Sequence, residues 1–220
     1  MTSVGLFPLG TMLVPGQVLR LTIFEPRYRR LLADLSEFPP EQRHFAVVAI
    51  TVGHEVGDGA AVQLAPVGTL AKIRSLQTRT DGTAALTAVG TRRFRLGAYQ
   101  PGPGGYLRAD ITILPDSRVP ADEATTRSIA LAHRATDELR LLLQALGRPV
   151  PMLPEGPDAV SFALMLAAPL DPVVAAGLLA IDDTDERLIE LITVLRQELH
   201  LVSTLKSTPR PGPEHLPPAS

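Results

Sequence analysis

Residues 67–96 constrain the fold more than any other stretch, because they are predicted to form two β-strands around a tight turn. Asp81 and Gly82 both tolerate positive φ, and this pair is typical of a two-residue hairpin. After the turn, apolar and polar residues alternate, as in a strand with one buried face. The apolar positions are Leu86, Ala88, Phe94 and Leu96, and the polar positions are Thr87, Thr91, Arg93 and Arg95. A hairpin pairs its strands antiparallel, so the sequence predicts an antiparallel sheet.

The strand before the turn has a less regular pattern. Leu70, Ile73 and Leu76 are spaced by three, which alone would suit a helix. The flanking glycine, threonines and turn favour a strand, and a bulge that shifts the phase of the strand would account for the spacing. Gly90 lies in the middle of the second strand and predicts a bulge or bend there.

The rest of the sequence divides into a part rich in predicted strands and a part rich in predicted helices. Further strands are predicted over 4–9, 18–24, 45–52 and 106–114. A helix is predicted to begin at Pro26 and end before Pro39, and later helices are predicted over 121–146, over 161–168, from 172 and from 183 to 202. The predicted class is α+β, with a β-rich subdomain at residues 1–118, a helical subdomain at 119–205 and a disordered proline-rich tail at 206–220.

Composition excludes several classes of function. The sequence contains no cysteine, which excludes disulfides, thiolate catalysis and thiolate metal sites together. The formal net charge of −2 is spread along the chain, whereas nucleic-acid binding normally needs a concentrated basic surface. No apolar run has the length of a membrane span and the N-terminus has no basic-then-apolar leader, so we expect a cytoplasmic protein without a membrane partner.

Two groups of residues invite a metal-site interpretation, and neither satisfies it. His54 and Glu55 begin like a zinc-protease helix, but Asp58 stands where the second histidine must lie, in a glycine-rich segment. His133 and Asp137 are one helical turn apart, with no third ligand in sequence reach. We therefore predict no metal site and no cofactor.

Several short blocks in the same order resemble the substrate-binding domain at the N-terminus of Lon proteases. The first blocks are Leu6-Phe-Pro-Leu, Leu13-Val-Pro-Gly-Gln-Val-Leu-Arg-Leu and Phe24-Glu-Pro-Arg-Tyr. The central blocks are Val67-Gly-Thr-Leu-Ala-Lys-Ile and Val89-Gly-Thr-Arg-Arg-Phe-Arg-Leu, and the last are Pro169-Leu-Asp, Leu178-Leu and Asp182-Asp-Thr-Asp-Glu-Arg-Leu. The resemblance spans residues 4–205 and implies a PUA-like pseudobarrel for the β-rich part.

The resemblance does not extend to the catalytic parts of a Lon protease. The only candidate phosphate-binding loop, Gly5 to Gly10, has Thr11 in place of the required lysine. The peptidase of that family uses a serine activated by a lysine, and this sequence has only Lys72 and Lys206. Lys72 and Ser75 are three residues apart, which puts them on opposite faces of a strand. We therefore expect a protein without hydrolase activity.

The leading functional hypothesis is a non-catalytic module that binds exposed apolar segments of other polypeptides, in proteolysis or quality control. Its expected partners are unfolded or partly folded polypeptides, with a protease or chaperone as a further partner. Such binding needs an apolar groove, and an open strand edge would add backbone pairing. Apolar or aromatic residues in predicted loops are the candidates, although for the first three a core position is the alternative: Met12, Leu13, Val14, Tyr99 and Tyr106.

Two other functions stay open at this stage. RNA binding follows from the implied PUA-like topology and a group of arginines, of which Arg93 and Arg95 share a strand face. The group consists of Arg74, Arg79, Arg92, Arg93 and Arg95, and a solvated sheet face is its alternative interpretation. A small-molecule pocket in the barrel is the third hypothesis.

Overall fold

The structure is a computed structural model that describes residues 2–52, 63–115 and 124–207. The strands are β1 (Thr2–Leu9), β2 (Val18–Ile23), β3 (His44–Val52), β4 (Gln63–Leu64), β5 (Val67–Thr78), β6 (Ala84–Pro101) and β7 (Leu107–Ile113). The helices are α1 (Pro26–Ser36), α2 (Thr126–Ala145), α3 (Pro157–Ala167), α4 (Pro172–Ala180) and α5 (Thr184–Ser207), and a 3₁₀ turn covers Pro40–Gln42. Strands followed by helices confirm the predicted α+β class.

Three expectations fall partly or wholly outside the described residues. The segment of His54, Glu55 and Asp58 lies outside them, as does the predicted domain boundary at residue 118, so both stay predictions. Helix α5 runs to Ser207, two residues into the segment predicted as a disordered tail. Residues 208–220 are not among those described.

The sheet closes into a barrel because β1 pairs on both of its sides. Its order is β1-β7-β6-β5-β3-β4, and β1 also pairs with β3, in parallel, from Leu6 to Leu9. Strand β2 lies against the first half of β6. Strand β3 is apolar on both faces, as its sequence predicts: Phe45 and Val47 contact one core cluster, and Ala46 and Val48 contact another.

The β5–β6 hairpin confirms the predicted strands but corrects the turn. The Arg79 amide donates to the Thr83 carbonyl over 2.8 Å, and the Gly82 amide donates to the Arg79 carbonyl over 3.0 Å. This makes a three-residue loop in which Gly82 alone has a positive φ, of 79°. A two-residue turn would have required positive φ at Asp81 as well, and a glycine bulge makes that unnecessary.

Both predicted bulges lie in this hairpin. The register between β5 and β6 shifts between the pairs Ile73–Ala88 and Ser75–Thr87, which resets the phase of β5 and explains the irregular apolar spacing. A second shift falls between the pairs that involve Gly90 and Arg93.

Helix α1 covers one side of the barrel core. Leu31 and Leu32 are buried, and the Tyr28 ring stacks on Phe7 with ring centroids 3.8 Å apart. The start follows the predicted rule, because Pro26 occupies the first turn and Glu25 has the extended backbone of a cap.

The helical part is organised around α2 and α5, which run parallel. Arg127 contacts Asp185 near the start of both helices, and Arg196 contacts Glu138 further along both of them. Their apolar faces share one core cluster with α3 and α4, and β-strand residues Val67 and Leu114 also belong to it. Thr125, Asp171 and Asp183 cap α2, α4 and α5 through their side-chain oxygens.

Two buried arginines meet at the carbonyl of Ile181, and one of them, Arg93, joins the β-rich part to the helical part. The Nη1 atom of Arg93 donates to the carbonyls of Leu179 and Ile181, each over 2.8 Å. Its Nη2 atom lies 3.1 Å from a carboxylate oxygen of Asp182, an ion pair by distance without hydrogen-bond alignment. Arg187 donates to the same Ile181 carbonyl, over 2.8 Å. The expectation that Arg93 offers a phosphate contact is therefore wrong, since the helical part covers this stretch of the sheet face.

Arg187 is fully buried and satisfied by charged, polar and aromatic partners. It pairs with the carboxylate of Asp158 and donates to Ser161 Oγ over 2.9 Å. Its guanidinium carbon lies 4.3 Å from the centroid of the Phe162 ring. Burial lowers the pKa of Arg187 to about 10 despite the opposing effect of Asp158, so the side chain stays protonated at neutral pH.

Gly68 is a position at which a larger side chain should be costly. A Cβ atom there would lie 2.3 Å from the Val47 carbonyl oxygen and 2.6 Å from the Phe94 ring. Paired strand backbone and a buried ring leave little room, so Gly68→Ala should lower the free energy of unfolding by roughly 1–3 kcal/mol. Gly177→Ala on α4, where nothing lies within 4 Å, should raise it by about 0.5–1 kcal/mol. Urea denaturation measures both changes, and equal stability of the two variants would contradict this packing.

Candidate functional site

The five residues predicted for a groove do not lie together. Leu13, Val14 and Tyr106 are core residues with exposed fractions of 2%, 1% and 4%. They present almost no surface to a partner, so we do not retain them as groove residues. Met12 is half-buried and Tyr99 is 45% exposed, so these two remain accessible.

Tyr99 and Tyr106 line two adjoining hollows that share Ser3 and Arg108. The Tyr106 hydroxyl donates to Asp34 over 2.9 Å. Burial, followed by this hydrogen bond, raises the pKa of Tyr106, so it is a neutral phenol at physiological pH. These contacts give Tyr106 a structural role beneath the surface.

Met12 lines a separate groove of about 190 Å³ between the loop after β1 and the link between α3 and α4. Its other contributors are almost all apolar, and they include Met165, Leu170 and Pro172. The groove is narrow for an extended polypeptide, because the helical part packs close to the barrel here.

A larger groove lies between α1 and the β5–β6 hairpin, and we call it the hairpin groove. Its volume is about 510 Å³. It is lined by Pro26, Arg29, Arg30, Leu32, Ala33 and Ser36 from α1, and by Leu76, Thr78, Gly82 and Ala84 from the hairpin. Apolar side chains thus make the floor, and polar and cationic ones make the rim.

One wall of the hairpin groove is a strand with an open edge. β5 pairs with β3 only from Thr69 to Lys72, and its last bond on that side joins the Ile73 amide to the Arg43 carbonyl over 3.0 Å. From Arg74 to Thr78, β5 pairs only with β6 among the described strands. A row of backbone donors and acceptors therefore borders the apolar floor, which is the arrangement that strand addition requires.

The tip of the hairpin is held in place from both sides. Arg29 donates through Nη1 to the Gly82 carbonyl over 2.9 Å, which ties α1 to the turn. The Asp81 carboxylate accepts from the Thr83 hydroxyl over 2.7 Å and from the Thr83 amide over 2.9 Å. These bonds, the hydroxyl first, lower the pKa of Asp81, so its carboxylate is ionised near neutral pH. The groove is preformed, because its two walls are fixed to each other.

Comparisons with known proteins agree with this architecture. Residues 3–197 match the family model described as the ATP-dependent protease La (LON) substrate-binding domain. The chain belongs to this family. A crystal structure titled Lon N-terminal domain protein from Xanthomonas campestris is 27% identical and superposes with a TM-score of 0.64, covering 88% of this chain and 98% of that one. No curated protein sequence matches the chain.

A second solved structure supports the fold of this Lon substrate-binding domain. It is titled N terminal domain of Mycobacterium avium complex Lon protease, with 23% identity and a TM-score of 0.59. The match covers 89% of this chain and 98% of that one. The family assignment confirms the resemblance inferred from the sequence blocks, and a substrate-binding role linked to proteolysis follows from it.

The hairpin groove of this Lon domain was not predicted as a site from the sequence. Leu32 and Leu76 belong to apolar patterns that indicate core, and their positions along the chain give no sign that they face each other across a groove. The one usable signal was Gly82 with its neighbouring Asp81, which fixes where the hairpin ends.

Neither metal binding nor membrane insertion gains support from the described residues. Across residues 2–52, 63–115 and 124–207, no three potential metal ligands from His, Cys, Asp and Glu lie together. Asp137 pairs with Arg140 over 2.6 Å. In the same ranges, no helix combines the length and the apolar character that a bilayer crossing needs.

Two substitutions in the loop after β1 separate core from surface. Leu13→Ser should lower the free energy of unfolding by about 2–5 kcal/mol, because it removes a buried apolar side chain and inserts a hydroxyl. Met12→Ser, next to it and half-buried, should lower it by about 1 kcal/mol or less. Thermal unfolding followed by circular dichroism measures both, and a Leu13→Ser variant as stable as Met12→Ser would contradict the packing.

Proposed function

We propose that this Lon substrate-binding domain holds exposed apolar segments of other polypeptides, in extended form, in the hairpin groove. One observation carries the proposal: an apolar floor of about 510 Å³ lies beside a strand edge without a partner among the described strands. Side chains of the client would contact Leu76 and Ala84, and its backbone would pair with β5 beyond Ile73.

Two separate interactions would contribute to binding: burial of apolar side chains on the groove floor and backbone pairing at the open edge of β5. Burying one apolar client side chain is worth about 1.5–3 kcal/mol, and it is largely independent of which apolar residue enters. Backbone hydrogen bonds along β5 do not depend on the client's side chains, so they require only that the client segment be unfolded. Folded proteins hide both features, so the arrangement selects exposed segments over native structure.

The domain acts without chemistry of its own in this proposal. The matched family model describes a substrate-binding domain. In this proposal, the domain delivers the bound client to a protease or chaperone. That partner and the cytoplasmic location remain predictions.

The proposal is tested by fluorescence anisotropy with a labelled, permanently unfolded polypeptide and its folded counterpart as probes. Binding of the unfolded probe alone, retained when salt rises from 50 to 500 mM, is the expected result, because apolar burial is not screened by ions. Equal binding of the folded probe would contradict the proposal. A steep loss of affinity with salt would instead favour the RNA-binding alternative.

A further inference from the structure

The charge around the hairpin groove differs from that of the whole chain. Its lining contains Arg29 and Arg30 and no carboxylate. The two segments that form its walls, 25–36 and 72–84, hold six cationic and three acidic residues, although the chain has a net charge of −2. The cationic residues are Arg27, Arg29, Arg30, Lys72, Arg74 and Arg79, and the acidic ones are Glu25, Asp34 and Asp81.

The three carboxylates are already engaged. Glu25 pairs with Arg27 over 2.7 Å. Asp34 accepts from Arg30 Nε and from Tyr106, each over 2.9 Å. Asp81 accepts from the hydroxyl and amide of Thr83. Each carboxylate therefore interacts with a residue close to it, and none of the three pairs with Arg29.

Of the two arginines that line the groove, Arg29 is the one that this arrangement leaves for a ligand. Its guanidinium donates to the neutral carbonyl of Gly82, and within the described residues it pairs with no carboxylate. The side chain is exposed at the rim, next to Ala33 and the apolar floor. A guanidinium presents several donors in a planar fork, so one bond to Gly82 leaves others for an incoming carboxylate.

We infer that the hairpin groove prefers apolar segments that carry an acidic residue next to their apolar positions. The inference rests on the proposed function of the groove and names the class of its client. An apolar side chain enters the floor while an aspartate or glutamate nearby in the segment meets Arg29 at the rim. A lysine at that position would face the Arg29 guanidinium and be disfavoured, so the groove would discriminate between clients by their charge.

Three fluorescein-labelled peptides of equal length test the inference, with leucine alternating with glutamate, glutamine or lysine. Wild-type protein should bind the glutamate peptide about threefold to tenfold tighter than the glutamine peptide at 100 mM salt, and the lysine peptide should bind weakest. Arg29→Gln should remove the difference between the glutamate and glutamine peptides, so that the ratio of their dissociation constants falls to about one. Arg134→Gln, an exposed arginine on α2, is the matched control and should preserve the full preference.

The outcomes separate this inference from the proposed function. Equal binding of glutamate and glutamine peptides by wild-type protein would overturn the inference and leave the groove function standing. Failure of all three peptides to bind would overturn the groove function. Equal weakening of both peptides in Arg29→Gln would mean that Arg29 only holds the turn, and full displacement of the glutamate peptide by a uridine oligonucleotide would make the rim a phosphate site. Either result would overturn the inference.

Discussion

Arg187→Met is expected to lower the free energy of unfolding by about 3–5 kcal/mol, because it removes the fully buried cation that pairs with the carboxylate of Asp158. Asp158 is 6% exposed, and Arg187 is its ion-pair partner. The Ile181 carbonyl would also lose one of its two arginine donors. For a chain of this size, such a loss lowers the melting temperature by about 6–20 °C.

The same helix provides the control. Arg196 pairs with Glu138 at the surface, and its side chain is 49% exposed. Arg196→Met should cost about 1 kcal/mol or less, since solvent screens exposed ion pairs. Replacing Arg187 and Asp158 together by methionine and leucine should recover most of the loss, because no charge is left buried alone. If Arg187→Met and Arg196→Met unfold at the same temperature, the buried pair of Arg187 and Asp158 does not hold α3 to α5 as described.

Leu76→Ser is expected to weaken binding of an unfolded apolar polypeptide at least tenfold. Leu76 lies on the groove floor and is only partly buried, so it can contact both the core and a client. Losing one apolar contact of about 1.5–3 kcal/mol corresponds to a tenfold or greater change in the dissociation constant. Fluorescence anisotropy measures it, and a thermal melt of the variant checks that the hairpin remains folded.

Leu201→Ser is the matched control for Leu76→Ser. Leu201 is 54% exposed on α5, in the helical part. Its loss removes a similar apolar area from a surface that forms no part of the groove, and binding should stay within twofold of wild type. Equal weakening of polypeptide binding by the two substitutions would indicate non-specific binding to any exposed apolar surface. It would contradict the assignment of binding to the hairpin groove.

Local sequence rules predicted the elements of this fold well. The alternation after Gly82, the helix start at 172, and Pro26 at the start of α1 each depend on a few neighbouring residues, and all appear in the structure. Even the irregular spacing of Leu70, Ile73 and Leu76 was explained by a bulge, because a bulge leaves a phase slip in the sequence.

Features that depend on distant parts of the chain were not predictable. Arg93 has the sequence pattern of an exposed strand face, and only its packing against residues 179–182 makes it a buried donor. The sequence left both a core position and a groove position open for Leu13 and Val14, and only the packed barrel shows that they lie in the core. The hairpin groove needs Arg29 to meet Gly82 across 53 positions of sequence, and no local period encodes that contact.

Hydrogen–deuterium exchange with and without a saturating unfolded polypeptide tests the central claim most directly. Client pairing with the open edge of β5 should slow amide exchange between Arg74 and Thr78, a stretch without a second strand neighbour among the described residues. The backbone amides around the Met12 groove serve as an internal reference, and their exchange rates should be unchanged by the polypeptide. Slowed exchange around Met12 and the α3–α4 link, with residues 74–78 unaffected, would contradict the assignment of the binding site to the hairpin groove.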